Sequence, residues 1–133
     1  MTMDPPPDLT DLIWLFETEP RWPHIEELSE PYSDAAYEEQ LWPCTTAIFR
    51  LQRKNTWAEM EIHPDHDQVH LIIGVGDDPL ADLELASVRT VAVDKRSGRE
   101  RLRIDFTDHT AAKTLWLQTK PDISLRWAMD AKP

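Results

Sequence analysis

Three histidines and two aspartates crowd into one short stretch of the chain: His63, Asp65, His66, Asp67 and His70. Imidazole nitrogens and carboxylate oxygens are ligands for zinc and other divalent ions. The spacing matches no specific metal motif, and Pro64-Asp65-His66-Asp67 is equally the composition of a polar turn. A metal-binding protein or small metal-dependent enzyme using His63, His66 and His70 is therefore the alternative reading. The leading one has no catalytic residue, no metal and no cofactor.

Other chemistry is hard to assemble. Cys44 is the single cysteine, with no neighbouring base or positive charge to activate it. It can form no intramolecular disulfide, which suits a reducing compartment. The three glycines are Gly74, Gly76 and Gly98. Gly74-Val75-Gly76 runs into Asp-Asp-Pro and not into a helix, so the dinucleotide fingerprint fails.

Charge is more informative. The formal net charge is −11 over 133 residues. Residues 1–42 carry eleven acidic residues and one basic residue, Arg21, for a net of −10. The remaining 91 residues are close to balanced. Nucleic acids and anionic membranes need a basic footprint, so neither is expected as a partner. A basic protein suits this charge. Glu26, Glu27, Glu30, Asp34, Glu38 and Glu39 stand close together beside Trp22 and Tyr37. Carboxylates raise the association rate with a basic partner, and aromatic rings supply buried area. These residues, with Trp57 from the later part of the chain, form the expected partner-binding set. The sharpest form of this expectation is an immunity or inhibitor protein that occludes the basic site of a toxin nuclease. A homodimer through an open sheet face is a third arrangement.

The elements that must position these residues follow from periodicity. One domain is expected over 1–133. Residues 1–7, with three consecutive prolines, read as an unstructured tail, and 8–42 as an acidic helical segment. Asp8 caps a helix over residues 9–17 with Leu9, Leu12, Ile13 and Phe16 on its apolar face, and Trp14 and Leu15 off it. Residues 24–30 and 34–42 read as two further short helices. The N-terminus shows no basic flank and apolar run of the signal-peptide kind, and no segment approaches the ~20 apolar residues of a membrane span, so a cytoplasmic protein is expected.

From Cys44 onward the period is two. A turn at Lys54-Asn55 pairs Arg53/Thr56 through Ala47/Ile62. A turn at Pro64–Asp67 pairs His63/Gln68 through Ala58/Ile73. Both leave the same side of the shared strand apolar, which fixes the register. A turn at Ser97-Gly98 pairs Lys95/Glu100 through Thr90/Asp105. A last turn at Lys120-Pro121-Asp122 pairs Leu117/Leu125, Trp116/Arg126 and Leu115/Trp127. The phase break between Leu85 and Val91 is expected as a bulge near Ser87. The fold expected is α+β: an antiparallel meander sheet of about seven strands over residues ~45–129, with one to three short N-terminal helices packed on it.

Overall fold

The computed structural model describes residues 3–23, 42–96, 98–107 and 112–129. The element order is α1 (Leu9–Phe16), β1 (Ala47–Arg53), β2 (Thr56–His63), β3 (Gln68–Val75), β4 (Asp78–Leu85), β5 (Val88–Asp94), β6 (Glu100–Phe106), β7 (Ala112–Lys120) and β8 (Ser124–Met129). The expected single sheet is two. β1-β2-β3-β4 and β5-β6-β7-β8 are separate four-stranded antiparallel meanders.

The hairpin registers of β1–β2 and β2–β3 are those the alternating pattern predicts, from Ala47/Ile62 to His63/Gln68. Lys54, not Asn55, carries the positive φ of the first turn, at 55°. The second turn is one turn of 3-10 helix, Pro64–His66, closed by Asp67 at φ 48°. β5–β6 pairs as expected from Thr90/Asp105 to Asp94/Arg101. The expected Lys95/Glu100 pair does not extend that ladder. Lys95 Nζ instead reaches Asp11 Oδ1 at 2.6 Å. β7–β8 carries all three expected pairs.

The difference in sheet number arises at Ala86-Ser87. The one-residue phase change predicts a bulge inside one strand. The chain instead leaves the first sheet after Leu85, passes Ser87 at φ 58°, and enters the second at Val88. The crossing is tied down by Val88 N–H donating to Asp67 O at 3.0 Å and Thr107 N–H donating to Ser87 O at 2.9 Å. β4 begins at Asp78, directly after the turn. Pro79 lies within it, paired with Gly74, which is tolerated because β4 is an edge strand.

Each sheet turns one apolar face inward. Phe49, Met60, Ile62 and Leu71 from the first sheet, and Leu102, Ile104, Leu115 and Leu117 from the second, are fully buried in one common core. α1 packs against β1 of one sheet and against β5 and β6 of the other. Asp8 caps it as predicted, accepting from Thr10 N–H at 2.8 Å and Asp11 N–H at 3.3 Å. Because it meets two sheets, it buries more than one stripe: Leu12, Leu15 and Phe16 are all fully enclosed. Leu15 is thus core, and Trp14 is 40% exposed.

The start of the chain also differs from expectation. Residues 3–7 form neither helix nor strand and bend at Asp4-Pro5, yet they are seated. Met3 is buried, its N–H donates to Pro64 O at 2.9 Å, and Asp4 N–H donates to Arg89 O at 3.1 Å. Met3 supplies a large apolar side chain, and these bonds link the first sheet's second turn to the start of β5. The expected helices over residues 24–30 and 34–42 lie outside the described residues, except Trp42, which sits in a turn.

One ionic node ties the helix to both sheets. Glu17, at the C-terminal cap of α1, accepts two parallel bonds of 3.0 Å from the Arg53 guanidinium on β1, and Lys120 Nζ on β7 stands at 3.0 Å. Arg53 Nε also donates to Thr119 O at 3.0 Å. The Arg53 and Lys120 donors hold the Glu17 carboxyl down at about 2. The same bonds push both cations above their ordinary values.

Candidate functional site

The acidic segment begins and ends at one place. Arg21 makes a two-bond bridge with Ile48, N–H to O in both directions at 2.8 and 2.9 Å, and so lies along the outer edge of β1. Trp22 follows it into the core, 5% exposed. Trp42 meets Trp22 edge-on, with ring centroids 6.4 Å apart, and its Nε1–H donates to Pro7 O at 2.9 Å. The two tryptophans therefore fix the described ends of residues 24–41 side by side. Glu26, Glu27, Glu30, Asp34, Tyr37, Glu38 and Glu39 all lie within that interval, outside the described residues. Trp22, expected in the contact set, has its ring withdrawn into the core.

Trp57 does lie on a surface, the outer face of the first sheet. Its ring covers Gly74 on the neighbouring strand, its Nε1–H donates to Gly76 O at 2.8 Å, and the Arg50 guanidinium sits 4.4 Å above it. Trp116 does not share this face. It belongs to the outer face of the other sheet, capped by Arg101 at 4.3 Å. Arg101 is oriented from its far end by Asp94, 2.8 Å away, whose carboxyl it draws below the usual range.

The outer face of the first sheet carries a feature that the sequence reading missed. The side chains between the apolar ones on β2 and β4 are Glu59, Glu61, Asp82 and Glu84. The registers set Glu61 beside His70, His70 beside Glu84, and Ile72 beside Asp82. Arg21 stands 3.6 Å from Glu59. Among the described residues no lysine or arginine pairs with Glu61, Asp82 or Glu84. The signal was present in the sequence, but it becomes visible only when charge is summed across paired strands.

Two of the three candidate metal ligands fall on this face, each already engaged. His63 Nδ1 bonds Thr46 Oγ1 at 2.8 Å, and His70 Nε2 bonds Asp82 Oδ1 at 2.5 Å. Glu61 Oε2 lies between them, 3.7 Å from His63 Nε2 and 3.9 Å from His70 Nδ1. His66 sits on the turn, 3.8 Å from Asp65. Among the described residues no group of three His, Cys, Asp or Glu side chains is arranged to hold a metal ion. Glu61, His63, His70 and Glu84 instead rim an open pocket of about 390 Å3.

No family model matches the chain. No curated protein matches it either. Among solved structures, it is similar to a chain of the contact-dependent growth inhibition toxin–immunity protein complex from Klebsiella pneumoniae 342. The TM-score is 0.72 at 9% sequence identity, and the match covers 96% of this chain and 98% of that one. At that identity the likeness is one of fold. Among the described residues no helix is long and apolar enough to cross a membrane.

Proposed function

We propose that this chain is a binding protein of the immunity or inhibitor type, which neutralises a basic toxin by covering its positively charged site. The observation that carries the reading is the concentration of charge. Residues 24–41 hold six carboxylates and no lysine or arginine, and the chain enters and leaves the interval at one fixed point, Trp22 against Trp42. A carboxylate-rich segment attracts a basic partner over distance and complements its charge on contact, which favours association rate and specificity.

The fold likeness to a chain of a toxin–immunity complex supports the same reading. The contact set is Glu26, Glu27, Glu30, Asp34, Tyr37, Glu38 and Glu39, with Trp57 on the outer face of the first sheet as an aromatic contact. The protein acts by occlusion, not catalysis, and works in the cytoplasm without a cofactor.

The test is charge neutralisation. Replacing Glu26, Glu27, Glu30, Glu38 and Glu39 together by glutamine is expected to weaken partner binding at low salt by at least about tenfold, and to flatten its salt dependence. Unchanged affinity and an unchanged salt slope would remove the segment from the interface.

A further inference from the structure

We propose that the pocket between Glu61 and Glu84, on the outer face of the first sheet, receives an arginine side chain of the basic partner. The inference rests on the proposed function in one respect, that the partner is basic; the location and ligand chemistry come from the pocket itself.

The pocket has two kinds of wall. Glu61, His63, His70 and Glu84 form a polar rim, while the exposed Ala86 gives apolar surface at the point where β4 ends. A long aliphatic stem with a charged head fits such a site, because the stem covers apolar surface while the head stays among polar groups. Its volume of about 390 Å3 lies near the small end of ligand pockets, roughly 300–1,000 Å3, and suits one side chain better than a cofactor.

The charge selects a cation. Glu61 and Glu84 face the pocket, and among the described residues neither has a lysine or arginine partner. The contacts from Glu61 to the two imidazoles, 3.7 and 3.9 Å, are longer than hydrogen bonds. His63 and His70 are each held by a hydrogen bond, to Thr46 and to Asp82, so the rim is already ordered. Arginine suits it better than lysine. Its planar fork offers five donors and can engage carboxylates on two sides, whereas an ammonium is a compact point charge.

The test uses the full chain and N-acetylarginine amide as the probe. In a nitrogen–proton NMR titration, saturable shifts are expected at residues 61, 63, 70 and 84–86. They should weaken by about tenfold in the Glu61→Gln/Glu84→Gln variant. A control with the same charge change, Asp77→Asn/Asp122→Asn on two exposed turns, should bind as the parent does. N-acetyllysine amide should bind more weakly than the arginine probe. Shifts spread over the carboxylates of both sheets, or shifts that persist in the glutamine variant, would overturn the proposal.

A second arm uses the basic protein that the chain captures from lysate of its native host. Retention of that protein is expected to fall in Glu61→Gln/Glu84→Gln. Equal retention by that variant, alongside loss in the neutralised 24–41 variant, would overturn the pocket and leave the broader reading standing. Capture of no basic protein would overturn both. Both glutamine substitutions are on the outer face, and an unchanged Tm confirms that the fold is intact.

Discussion

The indole of Trp57 lies directly across Gly74 on the neighbouring strand. A Cβ added at Gly74 would overlap ring atoms Cε2 and Cζ2 and stand 2.7 Å from the Asp78 carbonyl oxygen. Gly74 is therefore needed for the close approach of a ring and an edge-strand backbone, and its φ is not of the positive kind. Trp57 is held over it by the Nε1–H bond to Gly76 O and by Arg50 above. Gly74→Ala is expected to displace the indole and cost about 1–3 kcal/mol, the usual range for overpacking. Urea unfolding measures the cost, and the Trp57 indole resonance reports the displacement. An unmoved resonance with unchanged stability would contradict this packing.

The orientation of α1 makes a second prediction. Leu15 is fully buried and Trp14 is 40% exposed, with Lys95 Nζ 5.0 Å from its ring. Leu15→Ala is expected to cost ~2–5 kcal/mol through lost burial and a residual cavity. Trp14→Ala removes an exposed ring and one cation–π contact, with an expected cost below about 1 kcal/mol. The reverse order in thermal or urea unfolding would mean that the helix is rotated about its axis.

The Glu17 node predicts how stability changes with acid. Its folded carboxyl titrates at about 2 against an ordinary value of 4.5. A lowered folded value means that ionised Glu17 stabilises the fold above pH 4.5, and that this contribution is lost as the pH falls toward 2. The side chain is 39% exposed, so solvent screening limits the effect to roughly 1 kcal/mol. Glu17→Gln should be less stable than the parent by about that amount at neutral pH. Most of the difference should vanish by about pH 3. Urea unfolding of both proteins at the two pH values checks it, and a gap that stays constant would show that the node contributes nothing through charge.

The hairpins could be read from the chain because two independent turns agreed on the buried side of β2, and a slip of one residue would have exposed Phe49 and Leu51. The division into two sheets could not be read. A bulge within one strand and a crossing to a second sheet both require a single phase change near Ser87. What decides between them is a contact far along the chain, Val88 N–H to Asp67 O. Leu15 was misplaced for a related reason. A single-stripe helix pattern assumes one packing surface, and α1 has β1 on one side and β5 and β6 on another.

The candidate surface was visible only in part. Acidic density along residues 24–41 is plain in the sequence. Acidic density across Glu61, Asp82 and Glu84 exists only once β2, β3 and β4 are paired. Trp22 looked like a contact residue because it stands among carboxylates, but its ring is withdrawn into the core against Trp42.

Neutralisation of a basic toxin is tested by capture from lysate of the native host at low and high salt, followed by a growth assay with the captured protein. The expected catch is a basic protein, bound tightly at low salt and weakly at high salt, whose expression stops growth unless this chain is co-expressed. A captured protein that is not basic, binding that salt leaves unchanged, or growth arrest that co-expression does not relieve would contradict it.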